Sequence, residues 1–494
     1  MSAHSSQRRA VLRDLAAAGA LLALPGWARA DATRDAWLAQ LPSHPRLAAL
    51  RTCADDSLSG TASMSGRWPA ELRGTFYRNG PARFDRGAER YQHWFDGDGM
   101  VHAWRIEAGR VRHAAGFVRT NKYVEESAAG QFLYPAFGTD IRRRPVGNND
   151  TVNTANTNAV VHAGKLYALW EAGSATELDP ASLATRGIKA WRDDLAAVPF
   201  SAHPKSTPDG RMWNFGVIPG ANKLVLWRIE ADGSLGKFGM LDVPQLPMVH
   251  DFVVTARFLV FLVPPFDMHP APHAPYLETH VWNGSRPMRA LVIDRADFTL
   301  RRIVEMPAGM VFHLGNGWDD GDTVRFDACI APDDSPLRAL GGAMRGALSY
   351  ETSTDTTLVT LDLIKDAART DVLLRGTEFP RVAAADVARR YRQLFVTTRT
   401  STTEFGMTGV ASIDVENGQV DRFDYGPDWM VEEHIPVRKA SGRGQWLVGV
   451  ACDLRTQQTV LAAFDGAHLA HGLVAQARLP YAAPLCFHGN FLAA

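Results

Sequence analysis

The sequence predicts an all-β fold of closed or radial type, such as a propeller. Short β-branched and aromatic runs recur beyond residue 60, tight-turn dipeptides separate them, and helical periodicity is rare. The runs begin with Lys165-Leu-Tyr-Ala-Leu-Trp170 and Lys223-Leu-Val-Leu-Trp-Arg-Ile229, followed by Phe258-Leu-Val-Phe-Leu-Val263 and Thr357-Leu-Val-Thr-Leu-Asp-Leu363. Gln393-Leu-Phe-Val-Thr397 and Gln445-Trp-Leu-Val-Gly-Val450 are the last of them. Asp209-Gly210, Asp232-Gly233, Asn283-Gly284 and Asp320-Gly321 supply the turns, because Gly accepts the positive φ that tight reversals demand. No repeated blade signature is present. Helical patterns are confined to residues 32–50 and 382–392.

The chain has 494 residues, 46% hydrophobic and 21% charged, enough to bury a large core. Lys+Arg and Asp+Glu both number 53, and no basic run stands out, which argues against a nucleic-acid partner and for a neutral, apolar one. Gln7-Arg-Arg-Ala-Val-Leu-Arg13 resembles a twin-arginine export motif. An apolar stretch from Leu15 to Leu24 and the small residues Ala28-Arg29-Ala30 follow it. The expectation is an export signal over residues 1–30, a propeller domain over 31–494 and a periplasmic location; the alternative is an uncleaved amphipathic helix. Between Val124 and Arg144, Phe132, Leu133, Tyr134 and Phe137 stand beside Arg142, Arg143 and Arg144. That composition suits a surface resting on a membrane or guarding an apolar tunnel, and equally a loop with a few buried aromatics.

Cys53, Cys329, Cys452 and Cys486 have no CxxC spacing and read as buried thiols. Asp96-Gly-Asp98-Gly lacks the spaced oxygens and closing Glu of a calcium loop and reads as a tight turn. The strongest chemical signal lies in four histidines, each in its own short frame. His203 sits in Ser-Ala-His-Pro-Lys, His250 in His-Asp-Phe, His313 in Val-Phe-His-Leu-Gly-Asn, and His488 in Cys-Phe-His-Gly-Asn. Neutral imidazole suits iron, copper, nickel and zinc, and it binds a dication without cancelling its charge. Singly, each is an ordinary histidine in a chain with 16 of them.

Jointly, the four frames resemble, in order and separation, the carotenoid cleavage oxygenases. Gly74-Thr-Phe-Tyr-Arg-Asn-Gly-Pro81, His93-Trp-Phe-Asp-Gly-Asp-Gly-Met-Val-His102, Ala155-Asn-Thr-Asn158, Ala168-Leu-Trp-Glu171 and Glu378-Phe-Pro-Arg381 extend the likeness from about Gly74 to Phe491. The resemblance implies a seven-bladed propeller with a small helical and loop cap, and ferrous iron on His203, His250, His313 and His488. It also implies three glutamates that orient the last three imidazoles. Glu171 and Glu378 match directly. The third falls in Val431-Glu-Glu-His-Ile-Pro-Val437, which departs from the usual Glu-Pro-x-Phe-Val-Pro frame, so Glu433 is assigned with Glu432 as the alternative. His434 reads as structural or solvated. Thr157 is implied to stand near an open iron position; otherwise it is a strand Thr with a satisfied hydroxyl. Trp170, Phe312 and Phe379, beside the ligands and glutamates, are the expected cleft wall, although each also reads as plain core.

The implied reaction is O₂-dependent cleavage of an electron-rich C=C bond into two carbonyl compounds, with an apocarotenoid-like polyene as substrate. A stilbene or phenylpropenoid is the second reading, with Tyr91 and Lys122 offered for binding a phenolate. A metal-stabilised propeller serving only as a binding module is the third, and an iron-dependent isomerase or hydrolase of retinoid type the fourth.

Overall fold

Phe258-Leu-Val-Phe-Leu-Val263 is apolar without alternation because neighbouring sheets cover both its faces. Phe258, Val260 and Leu262 pack with Val292, Val324 and Phe326 on one side. Leu259, Phe261 and Val263 pack with Phe215, Leu224 and Phe252 on the other. Full burial of such side chains contributes about 1.5–3 kcal/mol each, so stacking of blade on blade is the main support of the fold.

The computed structural model describes residues 26–271, 273–349, 352–401 and 404–494. They form seven antiparallel sheets of four or five strands and two two-stranded ribbons, the seven-bladed propeller expected from the family likeness. Each blade places one strand innermost: Asn158–His162, Lys205–Ser206, Phe252–Val254, Met310–Asp320, Thr377–Arg381, Trp429–Arg438 and His488–Ala493. The ring closes where His488–Ala493, the last strand, pairs antiparallel with Gly74–Arg83, with His488 opposite Asn79. Ser63–Gly66 in turn pairs with Ala475–Arg478 of the C-terminal blade.

Helices and loops cap one end. Asn121–Ala129 has Thr120 as its N-cap and Gly130 in the left-handed region as its C-cap. Ser335–Ala343 carries Pro336 in its first turn, where a missing N–H costs nothing. The pattern at 32–50 resolves into a helix, Gly26–Gln40, and a 3₁₀ turn, Pro45–Leu50, broken apart by Pro42 and Pro45. The helix expected over 382–392 is a correction. Only Ala384–Asp386 makes a 3₁₀ turn, and Ala388 has φ 63°. Asn316 explains it: its Nδ2 donates to the carbonyls of Asp386 and Arg389, and its Oδ1 accepts from the Ala388 N–H. These contacts hold the segment open against its helical propensity.

The Gln7–Arg13 motif and the Leu15–Leu24 stretch lie outside the described residues. Helix Gly26–Gln40 runs across the Ala30–Asp31 junction, with Ala30 buried against Tyr91, Phe132 and Ile141. In the Val124–Arg144 stretch, Phe132, Leu133 and Tyr134 are buried, and Arg143 and Arg144 pair with Glu89 and Glu125. No helix among the described residues is long and apolar enough to cross a membrane.

Candidate metal centre

His203, His250, His313 and His488 each lie on, or just before, the innermost strand of a different blade, so four imidazoles converge on the propeller axis. Their ligand-capable nitrogens all lie within 4.8 Å of one another, and all four residues are buried. Nε2 of His313 is 3.2 Å from Nε2 of His250 and 3.1 Å from Nε2 of His488.

The motif residues beside the histidines tie these blades together. Lys205 Nζ lies 2.8 Å from Asp251 Oδ1 and donates to the Leu314 carbonyl. Asp251 Oδ2 accepts the Leu314 N–H at 2.8 Å. One largely buried ion pair thus links the neighbours of His203, His250 and His313. At the fourth blade, a side chain at position 489 would run into the Tyr77 carbonyl, so only Gly489 lets the strand after His488 approach Gly74–Arg83 this closely.

Three carboxylates meet the imidazoles from behind. Glu171 contacts Nδ1 of His250, Glu378 contacts Nδ1 of His313, and Glu433 Oε1 lies 2.9 Å from Nδ1 of His488. The structure therefore brings all three expected glutamates to their histidines and separates Glu433 from Glu432. A strand alternates its faces, so consecutive glutamates should point apart. Here the register slips between Val431 and His434, a bulge that turns both inward. Glu432 takes Arg78 and the Cys486 N–H instead of a histidine. His434 is buried between Tyr425 and the Glu432 carbonyl, a structural imidazole.

The donor set fits a transition-metal ion. Each glutamate accepts a hydrogen bond from Nδ1–H, which keeps the proton there and leaves the lone pair on Nε2. Lone pairs facing each other at 3.1–3.2 Å repel unless a cation lies between them. The Nε2 of His203 is likewise buried without a hydrogen-bond partner. Metal–imidazole bonds of about 2.0–2.1 Å place adjacent ligand nitrogens about 3 Å apart, the spacing seen here.

Burial, together with the neighbouring imidazoles, holds His203 well below the ordinary range. Burial also lowers His488, to about 3, against the pull of Glu433. His250 goes the other way: burial lowers it, but Glu171, Asp251 and Glu378 outweigh that and raise it. Glu433 is held well below the usual carboxylate range by Arg381, His488 and Arg78, although burial alone would raise it.

A cavity of about 860 Å³ opens onto the imidazoles of His250, His313 and His488. Trp170, Phe312 and Phe379 all line it, and so does Thr157, whose hydroxyl donates to Asn156 Oδ1. Phe379 has φ 55° and lays its ring on His313, centroids 5.0 Å apart, while its N–H donates to Glu378. Other wall residues carry no signal of their own in the sequence. Trp94 and Phe95 stand inside the His93–His102 signature, and Phe95 packs edge-on against Phe312 and Phe487. Phe137 and Tyr276 enter from the cap, and no lysine lines the cavity among the described residues. Tyr91 and Lys122 lie elsewhere, buried together with Glu126, the last two on helix Asn121–Ala129, which corrects their suggested phenolate role. Cys329, Cys452 and Cys486 are buried free thiols and Cys53 is half-buried; none joins the imidazole cluster. Asp96 closes a 3₁₀ turn by accepting the His93 N–H, so the Asp96–Asp98 motif is a turn.

Propeller and four-imidazole cluster together define a protein built to hold a transition-metal ion on its axis. The chain belongs to the family described as Retinal pigment epithelial membrane protein, the carotenoid cleavage oxygenases, which matches residues 50–493. This family is iron-dependent. The chain is 28% identical over 461 residues to apocarotenoid-15,15'-oxygenase of Synechocystis sp., covering 87% of this chain and 92% of that protein. It is also 28% identical over 476 residues to lignostilbene-alpha,beta-dioxygenase isozyme III of Sphingomonas paucimobilis, with coverage of 87% and 92%. Among solved structures, cobalt-substituted Synechocystis ACO superposes with a TM-score of 0.83 at 24% identity, over 91% of this chain and 99% of that one.

Proposed function

We propose that this protein is an Fe(II)-dependent dioxygenase that cleaves a C=C bond of an apocarotenoid-like polyene into two carbonyl compounds. The carrying observation is an apolar, aromatic-walled cavity of about 860 Å³ that ends on the three carboxylate-backed imidazoles of His250, His313 and His488, with His203 completing the cluster behind them. His203, His250, His313 and His488 hold the iron, which supplies dioxygen activation when bound. Glu171, Glu378 and Glu433 each keep a proton on Nδ1 of their histidine and so turn the Nε2 lone pair to the centre. Phe312, Phe379 and Trp170 exclude water and align a flat conjugated chain. Thr157 narrows the space beside the imidazoles. The reaction asks no side chain to act as nucleophile.

The relatives' names divide between polyene and stilbene substrates. The polyene is favoured because the wall is mainly apolar and aromatic and Tyr91 and Lys122 lie outside it; Tyr276, Arg142 and Arg399 are the lining groups that a phenolate would have to use. Fe(II)-loaded protein is to be given an apocarotenal and a hydroxystilbene separately under O₂, with aldehydes identified by mass. Aldehydes from the apocarotenal support the reading; aldehydes from the stilbene alone overturn the substrate.

The periplasm is the proposed location, supported by the Gln7–Arg13 motif and the small residues before Asp31. Processing at Ala30 would also remove Arg29, whose guanidinium donates to Glu278 in the cap. N-terminal sequencing of the exported protein tests this; a mature chain that retains Arg29 contradicts the cleavage site.

A further inference from the structure

Of the three carboxylates that hold an imidazole, Glu433 alone has arginine partners among the described residues. Arg78 Nη1 donates to Glu433 Oε2 at 2.9 Å, and Arg78 Nη2 donates to Glu432 Oε2 at 3.0 Å. The guanidinium is fully buried and both carboxylates nearly so. A planar fork of this kind fixes two acceptors in one geometry, which a point-charge ammonium cannot do.

The same groups frame the main chain around His488. Arg78 Nη2 also donates to the Phe487 carbonyl at 3.2 Å and the Cys486 carbonyl at 3.4 Å. Glu432 Oε2 accepts the Cys486 N–H, and Glu433 Oε2 accepts the Gly489 N–H, each at 3.1 Å. Arg381 completes the frame by donating to the Gly489 carbonyl at 2.7 Å. Two arginines and two glutamates leave no net charge. That balance explains the unusual Glu432-Glu433 pair: Glu433 meets the histidine, while Glu432 neutralises the guanidinium that holds Glu433 in place.

We propose that Arg78 is a positioning residue for His488, acting through Glu433 and the backbone of Cys486–Gly489, with Glu432 as its counter-charge. This inference rests on the reading of the four histidines as the metal site.

The test compares Arg78→Lys and Glu432→Gln with wild type and His488→Ala, all as full chains. Co(II) affinity and the Co(II) ligand-field absorption band are measured, and the His488 imidazole is followed by ¹⁵N NMR in metal-free protein. Circular dichroism establishes folding. In Arg78→Lys, Co(II) binding weakens about 10–100-fold, the scale for disturbed outer partners of metal ligands, and the band and the His488 resonances shift. Glu432→Gln keeps an acceptor for Arg78 but leaves one net positive charge in the buried frame of Arg78, Arg381 and Glu433, so Co(II) binding weakens and the band shifts. Should Arg78→Lys not fold, Glu432→Gln decides by the same readouts. Folded variants with wild-type affinity, band and imidazole resonances overturn the proposal, even if they melt at a lower temperature. Wild type that takes up no Co(II) overturns the four-histidine reading itself, and the proposal with it.

Discussion

His313 and His488 bring their Nε2 atoms to 3.1 Å, while Glu378 and Glu433 hold the protons of both rings on the far nitrogens. Two lone pairs are thus pressed together inside a buried site, an arrangement that stabilises the folded chain only with a cation at its centre.

Metal binding and folding are therefore coupled. Chelation lowers the melting temperature, and saturation at a hundredfold excess over Kd restores about 2.7 kcal/mol. Scanning calorimetry of metal-free and Fe(II)-loaded protein checks this under anaerobic conditions. Identical melting curves contradict it.

Glu378→Gln and Glu171→Gln keep an oxygen acceptor near Nδ1 but remove its charge. Iron affinity falls about 10–100-fold in each, with the fold retained. Metal titration followed by circular dichroism separates loss of affinity from unfolding.

How far the sequence reaches depends on whether structure is written locally. The continuous run Phe258–Val263 announces a strand covered on both faces, and the four histidine frames mark the centre although they lie on four blades. Glu433 is not separable from Glu432 in the sequence, because the bulge that turns both inward is a slip in register against the next strand, Gln445–Asp453, which no local motif marks. The missing helix at 382–392 fails for a similar reason: Asn316, from another blade, captures its backbone. Arg78 was visible only as part of a signature, since its partners are more than 350 residues away.

Phe312 packs 5.4 Å from the His250 ring and 6.0 Å from Phe95, on the border between cavity and core. Phe312→Ala lowers stability by about 3–5 kcal/mol and opens the cavity wall. The loosened substrate reduces kcat/KM about tenfold or more, with iron content unchanged. Steady-state kinetics with an apocarotenal, alongside iron analysis, tests both halves.

Burial lowers His434 to about 4, so the folded chain keeps it neutral where the unfolded chain, near 6.5, takes a proton. Below pH 6.5 the unfolded state binds more protons. The contribution of His434 is therefore full above that pH and is lost as pH falls towards 4, on the order of 3 kcal/mol in all. In His434→Gln, stability measured by urea unfolding falls less steeply across this window. An unchanged slope refutes the assignment.

The most direct measurement is iron per chain by plasma mass spectrometry, on wild type reconstituted with Fe(II) and on His203→Ala, His250→Ala, His313→Ala and His488→Ala. Stoichiometric iron in wild type, and its loss from each folded variant, is the predicted result. Folded wild type without iron, or a folded His313→Ala that keeps a full complement, contradicts a four-histidine iron centre.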